Sequence, residues 1–230
     1  MRNMLVFLGG VAVILVVAVG LYQWHGTPTL KLPQPQVTTA PASMSSASVG
    51  EEARVKANDF VIGSPNAPVT MIEYASLTCS HCANFHINVR PKLKSTYVDS
   101  GKVRLVYRDF PLDGLALRAS MLARCSGHER FFGILNILFK RQEQWAGNPD
   151  PLAALARVVA LGGMGTSDFQ ACLKNKKVED QILAQRQMAS KAFAIDSTPS
   201  FIFNGQKISV GGKVENFKAI IDPLIAKAGK

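Results

Sequence analysis

The sequence predicts an α/β domain interrupted by an all-helical insertion, on three observations. Residues 69–108 read as strand, helix, strand. A block from about 111 to 196 carries helical periodicity and no strand signal. A hairpin and an amphipathic helix then close the chain, so β character returns after the helices.

The 230 residues do not form one compositional type. Met4 to Trp24 is an uncharged apolar run behind Arg2. Its length suits a membrane span better than the apolar stretch of a cleaved signal, which is about 7–15 residues. Tyr22 and Trp24 suit an interface. Ala18-Val19-Gly20 offers a small-x-small cleavage pattern, so residues 1–24 read as a membrane anchor or a signal segment. Either one carries the remainder across a membrane. Residues 25–58 contain Pro28, Pro33, Pro35 and Pro41 with many Ser and Thr, a composition that reads as a flexible tether. Such a segment reaches on the order of 30 Å. The domain is expected over 59–230, with its ordered part starting near Val61.

Gly63-Ser64-Pro65-Asn66-Ala67-Pro68 is turn material before the first clear strand, residues 69–75. That strand is apolar almost throughout, as one buried on both faces must be, with Glu73 as the exception. A helix follows through Phe85, Ile87, Val89, Leu93 and Tyr97, and Pro91 is expected to kink it. Gly101 ends it, and residues 102–108 alternate as a strand. Asp150-Pro151 reads as a helix N-cap with proline at the first position, and Gly162-Gly163 as that helix's end. Ser167 with Gln170 suggests a capping box for the next helix. Residues 200–203, Asn204-Gly205 and 207–210 spell a hairpin, and 214–228 a terminal helix.

The formal net charge is +10, and without Arg2 and Lys31 the rest carries about +8. No dense Lys/Arg run with interleaved aromatics is present, which argues against nucleic acid as a partner. Chemistry concentrates in Cys79-Ser80-His81-Cys82, between the first strand and the first helix. Two thiols at this spacing, strand before and helix after, have the layout of a thioredoxin-like redox site. Unpaired N–H groups and the dipole at a helix start stabilise a thiolate on the first cysteine, and the second lies about one turn in. Glu73, six residues before Cys79, is a carboxyl in an apolar strand; it needs partners or a raised pKa, and it is placed to exchange protons with a buried Cys82. His81 can donate to the Cys79 thiolate. His86, four residues after Cys82, is expected at the surface or a groove, with no role. Thr198-Pro199 is expected to form a cis peptide facing the thiols, leaving the Thr198 backbone free to pair with an extended substrate. Cys125 and Cys172, both in the insertion, could close a loop or remain two buried thiols.

Three segments together carry a resemblance: Ile72 to Cys82, Arg108-Asp109-Phe110-Pro111-Leu112, and Ser197-Thr198-Pro199-Ser200-Phe201. In this order and spacing they resemble the DsbA-like thiol–disulfide oxidoreductases of bacterial envelopes, over about residues 63–226. The family often has Pro-His between its cysteines, where this chain has Ser-His. The resemblance implies a thioredoxin-like fold with a helical insertion, and a dithiol oxidase that passes the Cys79-Cys82 disulfide to exported proteins. It further implies catalytic Cys79, Cys82, His81 and Glu73, substrate binding at Thr198 and Pro199, and a structural disulfide between Cys125 and Cys172. Unfolded exported proteins and a quinone-linked membrane reoxidase are the partners it implies, on the extracytoplasmic side, with no cofactor. A monomer is expected, because the segment before the domain reads as tether rather than as a dimerisation module.

Rival readings remain. An isomerase or reductase would use the same fold and chemistry. Cys82 and His86, one helical turn apart, could serve a zinc or copper metallochaperone, although a further Cys/His cluster is lacking. A peptide-binding chaperone would use the same groove without redox chemistry. Ala83 after Cys82 excludes the c-type haem signature.

Overall fold

The structure, a computed structural model, describes residues 50–229. Residues 1–24, read above as anchor or signal, and most of residues 25–58, read as tether, lie outside them. Among the described residues no helix is long and apolar enough to cross a membrane.

The sheet has five strands: β1 (Phe60–Ile62), β2 (Val69–Ala75), β3 (Val103–Asp109), β4 (Ser200–Phe203) and β5 (Gln206–Ile208). Their order is β1-β3-β2-β4-β5, with β2 and β3 parallel and the other pairs antiparallel. β1 is a strand the hydrophobic pattern did not separate from the preceding segment. Three residues are too short to show a period.

Alternation along β2 divides the molecule. Val69 and Met71 face helices α1 (residues 80–98) and α8 (Val214–Ala228), packing with Phe85, Leu93, Phe201 and Phe217. Ile72 and Tyr74 face the opposite side, against Phe110, Phe193 and Ile202. The insertion contributes α2 (Gly114–Cys125), α3 (His128–Lys140), α4 (Gln142–Ala146), α5 (Pro151–Ala160), α6 (Thr166–Leu173) and α7 (Lys176–Phe193). Its apolar side is continuous with the sheet: Leu122, Phe131, Leu155 and Phe169 share one cluster with Ala75, Leu77, Cys82 and Tyr107. The insertion and the redox segment therefore share a core.

Helix α1 alternates α turns at Ser80–Asn84 and Arg90–Leu93 with π turns at Phe85–Val89 and Lys94–Val98. Pro91 sits at the start of the second α turn, where the preceding wide turn accommodates its missing N–H. Asp150 caps α5 by accepting from Ala153 N at 3.1 Å. The capping box at Ser167 does not form; Gly165 stands at the N-cap of α6 and Ser167 lies inside the helix. The hairpin turns through Asn204 and Gly205, at φ of 46° and 89°, the two left-handed residues of a type I′ turn.

The tether boundary at 58 is too late. Residues 50–52 are helical, and Glu52 and Asp59 are buried against the sheet. Arg108 is the reason. Its guanidinium donates to Asp59 at 2.9 and 2.7 Å, to the Glu52 carboxylate at 3.1 Å, and to the Glu52 and Arg54 carbonyls at 2.5 and 2.6 Å. A composition argument sees few apolar groups in this segment and misses that charge pins it.

Candidate active site

The turn after β2 carries Cys79 as the N-cap of α1, with extended backbone (φ −81°, ψ 120°). Its carbonyl accepts from Ala83 N at 3.1 Å, the first bond of the helix. Thr78 Oγ1 donates to Asp113 at 2.6 Å, and Asp113 also accepts from Ala116 N at the start of α2. One carboxylate thus ties the redox turn to the insertion. Gln142, on α4 and buried, adds a second tie: its Nε2 donates to the carbonyls of Leu77 at 2.7 Å and Cys79 at 3.0 Å. Nothing in the sequence marks Gln142, which lies 63 residues from Cys79 without a motif of its own.

The two thiols occupy unlike surroundings. Cys79 is half-buried and Cys82 fully buried, and both are reduced. Cys79 Sγ lies 3.2 Å from the carbonyl oxygen of Thr198, on the loop held by the cis Thr198–Pro199 peptide. The Cys79 thiol is pulled from 9.0 to about 5, first because the Cys82 thiol donates to its sulfur, against partial burial. Thr198 and the backbone N–H groups of Cys82 and His81 add smaller contributions. Cys82 is pushed upward, first by burial, then by Cys79 and Glu73. The pair therefore holds one thiolate and one thiol at neutral pH.

His81 is exposed, and its side chain makes no hydrogen bond among the described residues; it reaches Cys79 through its backbone N–H. His86 lies on the buried face rather than at the surface, and it has a partner that the sequence reading did not give it. Four residues of helix turn about 400°, which brings His86 to within about 40° of Cys82 on the buried face. Its ring is buried, stacks on Phe139 with centroids 4.1 Å apart, and sets Nε2 3.0 Å from both carboxyl oxygens of Glu73. Burial lowers its pKa, opposed by Glu73. Glu73 is fully buried on the α1 side of β2, near enough to Cys82 to act on its ionisation.

Cys125 and Cys172 form a disulfide that joins α2 to α6, with Cα atoms 6.0 Å apart. Among the described residues, no three His, Cys, Asp or Glu side chains are grouped to hold a metal ion.

Comparison with known proteins agrees with this geometry. Residues 56–223 match the family model described as thioredoxin. A Rickettsia bellii protein with the provisional name protein-disulfide oxidoreductase is 31% identical over 76% of this chain and 68% of its own length. A Rickettsia typhi protein with a similar provisional name is 32% identical over 74% of this chain and 63% of its own. The crystal structure of Wolbachia pipientis alpha-DsbA1 superposes with a TM-score of 0.73 at 35% identity, covering 78% of this chain and 97% of that one. Oxidised BdbD from Bacillus subtilis shares the fold, with a TM-score of 0.66 at 18% identity.

Proposed function

This chain belongs to the thioredoxin family as a DsbA-like thiol–disulfide oxidoreductase, and we propose from that premise that it works as a dithiol oxidase. In this reading a substrate thiolate attacks Cys79 Sγ, the Cys79–Cys82 bond breaks, and Cys82 leaves. A second substrate thiol, as its thiolate, then attacks the substrate sulfur of the mixed disulfide and releases Cys79 as a thiolate. The products are an oxidised substrate and reduced Cys79 and Cys82.

The direction rests on the setting of Cys79 Sγ, which sits at a helix start and accepts from the Cys82 thiol and from the backbone N–H groups of Cys82 and His81, an arrangement that pulls the thiol down to about 5. A stabilised thiolate favours the reduced protein over its disulfide, which makes the disulfide a strong oxidant, and a thiolate of low basicity leaves readily. Burial of Cys82 keeps the second sulfur from competing substrates. The Thr198 carbonyl beside Cys79 Sγ supports a substrate strand running along the cis-proline loop. Glu73 is the carboxyl assigned to proton exchange with Cys82. His81 tunes Cys79, and the Cys125–Cys172 disulfide stiffens the insertion.

Substrates are proteins whose cysteines await pairing. The proposed setting is the extracytoplasmic face of the membrane, with residues 4–24 as anchor or as a cleaved signal. A quinone-linked membrane protein would reoxidise the dithiol, and the domain would act as a monomer.

The test is single-turnover oxidation of a reduced dithiol peptide by the oxidised protein. The expected result is stoichiometric peptide disulfide, with loss of turnover in Cys79→Ser. Undiminished peptide oxidation by Cys79→Ser would remove the enzyme reading and leave a peptide-binding chaperone.

A further inference from the structure

Glu73 is fully buried, so a proton it passes to Cys82 needs a route from water. Four groups bear on the Glu73 carboxyl. Arg90 does not give up its proton at neutral pH. Tyr107 is held well above its ordinary 10.0 by burial, with Asp109 and Glu73 adding to it. Cys82 is the acceptor itself. His86 remains, and it makes the direct contact, with Nε2 at 3.0 Å from both carboxyl oxygens.

The far side of His86 has the character a relay needs. Its Nδ1 is buried and has no protein hydrogen-bond partner among the described residues. His86 also lines a cleft of about 310 Å³ between α1 and α3, whose other walls include Arg90, Lys94, Asn136 and Lys140. The charged and titratable groups around the imidazole are thus Glu73 from β2, Tyr107 from β3, Arg90 and Lys94 from α1, and Lys140 from α3. Four of the five are cations or an uncharged phenol. That setting favours a neutral imidazole at rest, free to accept at one nitrogen while it gives from the other.

Resting on the assignment of Glu73 to Cys82, we propose that His86 is a proton-relay residue that connects Glu73 to solvent through the Arg90–Lys140 cleft. When the Cys79–Cys82 bond breaks, Cys82 leaves with the electron pair and takes a proton from Glu73. Glu73 recovers one from His86 Nε2, and His86 takes one at Nδ1 from water in the cleft. One proton enters from solvent for each Cys82 thiolate formed, and reoxidation runs the chain in reverse. The relay acts through Glu73, which makes His86 a positioning residue rather than one that touches substrate.

The test compares Glu73→Gln and His86→Gln with the unaltered protein, using the same single-turnover peptide oxidation across pH 5–8. Glutamine keeps an N–H toward Glu73 but passes no proton. His86→Gln is expected to slow the reaction on the order of ten-fold or more at pH 7, while the Cys79 alkylation midpoint stays put. Wild-type rate and pH profile in His86→Gln, with Glu73→Gln slowed, would overturn the relay and leave the Glu73 assignment standing. Wild-type behaviour in both would remove the Glu73 assignment and the relay with it. If His86→Gln folds poorly, His86→Gly with added imidazoles decides. Rescue that grows with the basicity of the imidazole supports the relay; rescue independent of basicity, or none, overturns it.

Discussion

Two adjacent rungs of the β2–β3 ladder carry buried charge on opposite faces of the sheet, and they treat it differently. The Tyr74↔Arg108 rung is saturated, and Arg108 donates to two carboxylates, two carbonyls and the Tyr74 hydroxyl, the last at 2.8 Å. The Glu73↔Tyr107 rung is not. Around it His86 Nδ1, Arg90 Nη1 and the Tyr107 hydroxyl all lack a hydrogen-bond partner among the described residues. Unpaired buried polar atoms cost stability, about 1–3 kcal/mol each. The first cluster fastens residues 52–59 to the sheet. The second stands beneath Cys82, and an incomplete network there is consistent with groups that change protonation rather than hold a fixed one.

That contrast can be broken by mutation. The largest expected effect is Arg108→Met, which strands two buried carboxylates and should cost about 3–5 kcal/mol in chemical denaturation. It should leave the Cys79 alkylation midpoint unchanged in the folded fraction. Replacing Glu73, His86 and Arg90 together with leucine should do the reverse. Stability should hold or rise by about 1–4 kcal/mol, because a buried polar cluster with unpartnered atoms gives way to apolar packing, while peptide oxidation slows. A large loss of stability in the triple variant would equate the two clusters and end the distinction.

Gln142→Ala should cost about 1–2 kcal/mol by removing the bonds to the Leu77 and Cys79 carbonyls, the second of which keeps Ala83 N. It should also raise the Cys79 midpoint as the turn loosens, which titration of thiolate absorbance would read. The pH dependence of stability gives a further test. Cys79 is depressed in the folded reduced protein, from 9.0 to about 5. Its contribution is therefore fully present above about pH 9, declines as pH falls, and is gone below about pH 5. The stability gap between reduced and oxidised forms should narrow over that window in parallel denaturation curves.

Local chemistry was legible in the sequence, and long-range chemistry was not. The Val69–Ala75 strand, the Cys79 helix start, the Asn204-Gly205 turn and the Asp150 cap each follow from short-range rules that one segment can satisfy by itself. Glu73 was visible because a carboxyl in an apolar strand contradicts its neighbours. Its partner His86 was not, because a lone histidine one helical turn from Cys82 carries no mark that it meets a carboxyl on a neighbouring strand. Gln142 and the Arg108 contacts to residues 52–59 could not be read, since each joins segments dozens of residues apart and no periodicity records which polar groups will meet.

The Cys79 thiolate is what makes the disulfide an oxidant. Equilibrating the protein with glutathione buffers of known ratio at pH 7, and reading the fraction reduced, tests it most directly. A reduction potential above about −180 mV is the predicted result. A value near thioredoxin's, about −270 mV, would contradict it and make the protein a reductase on the same fold.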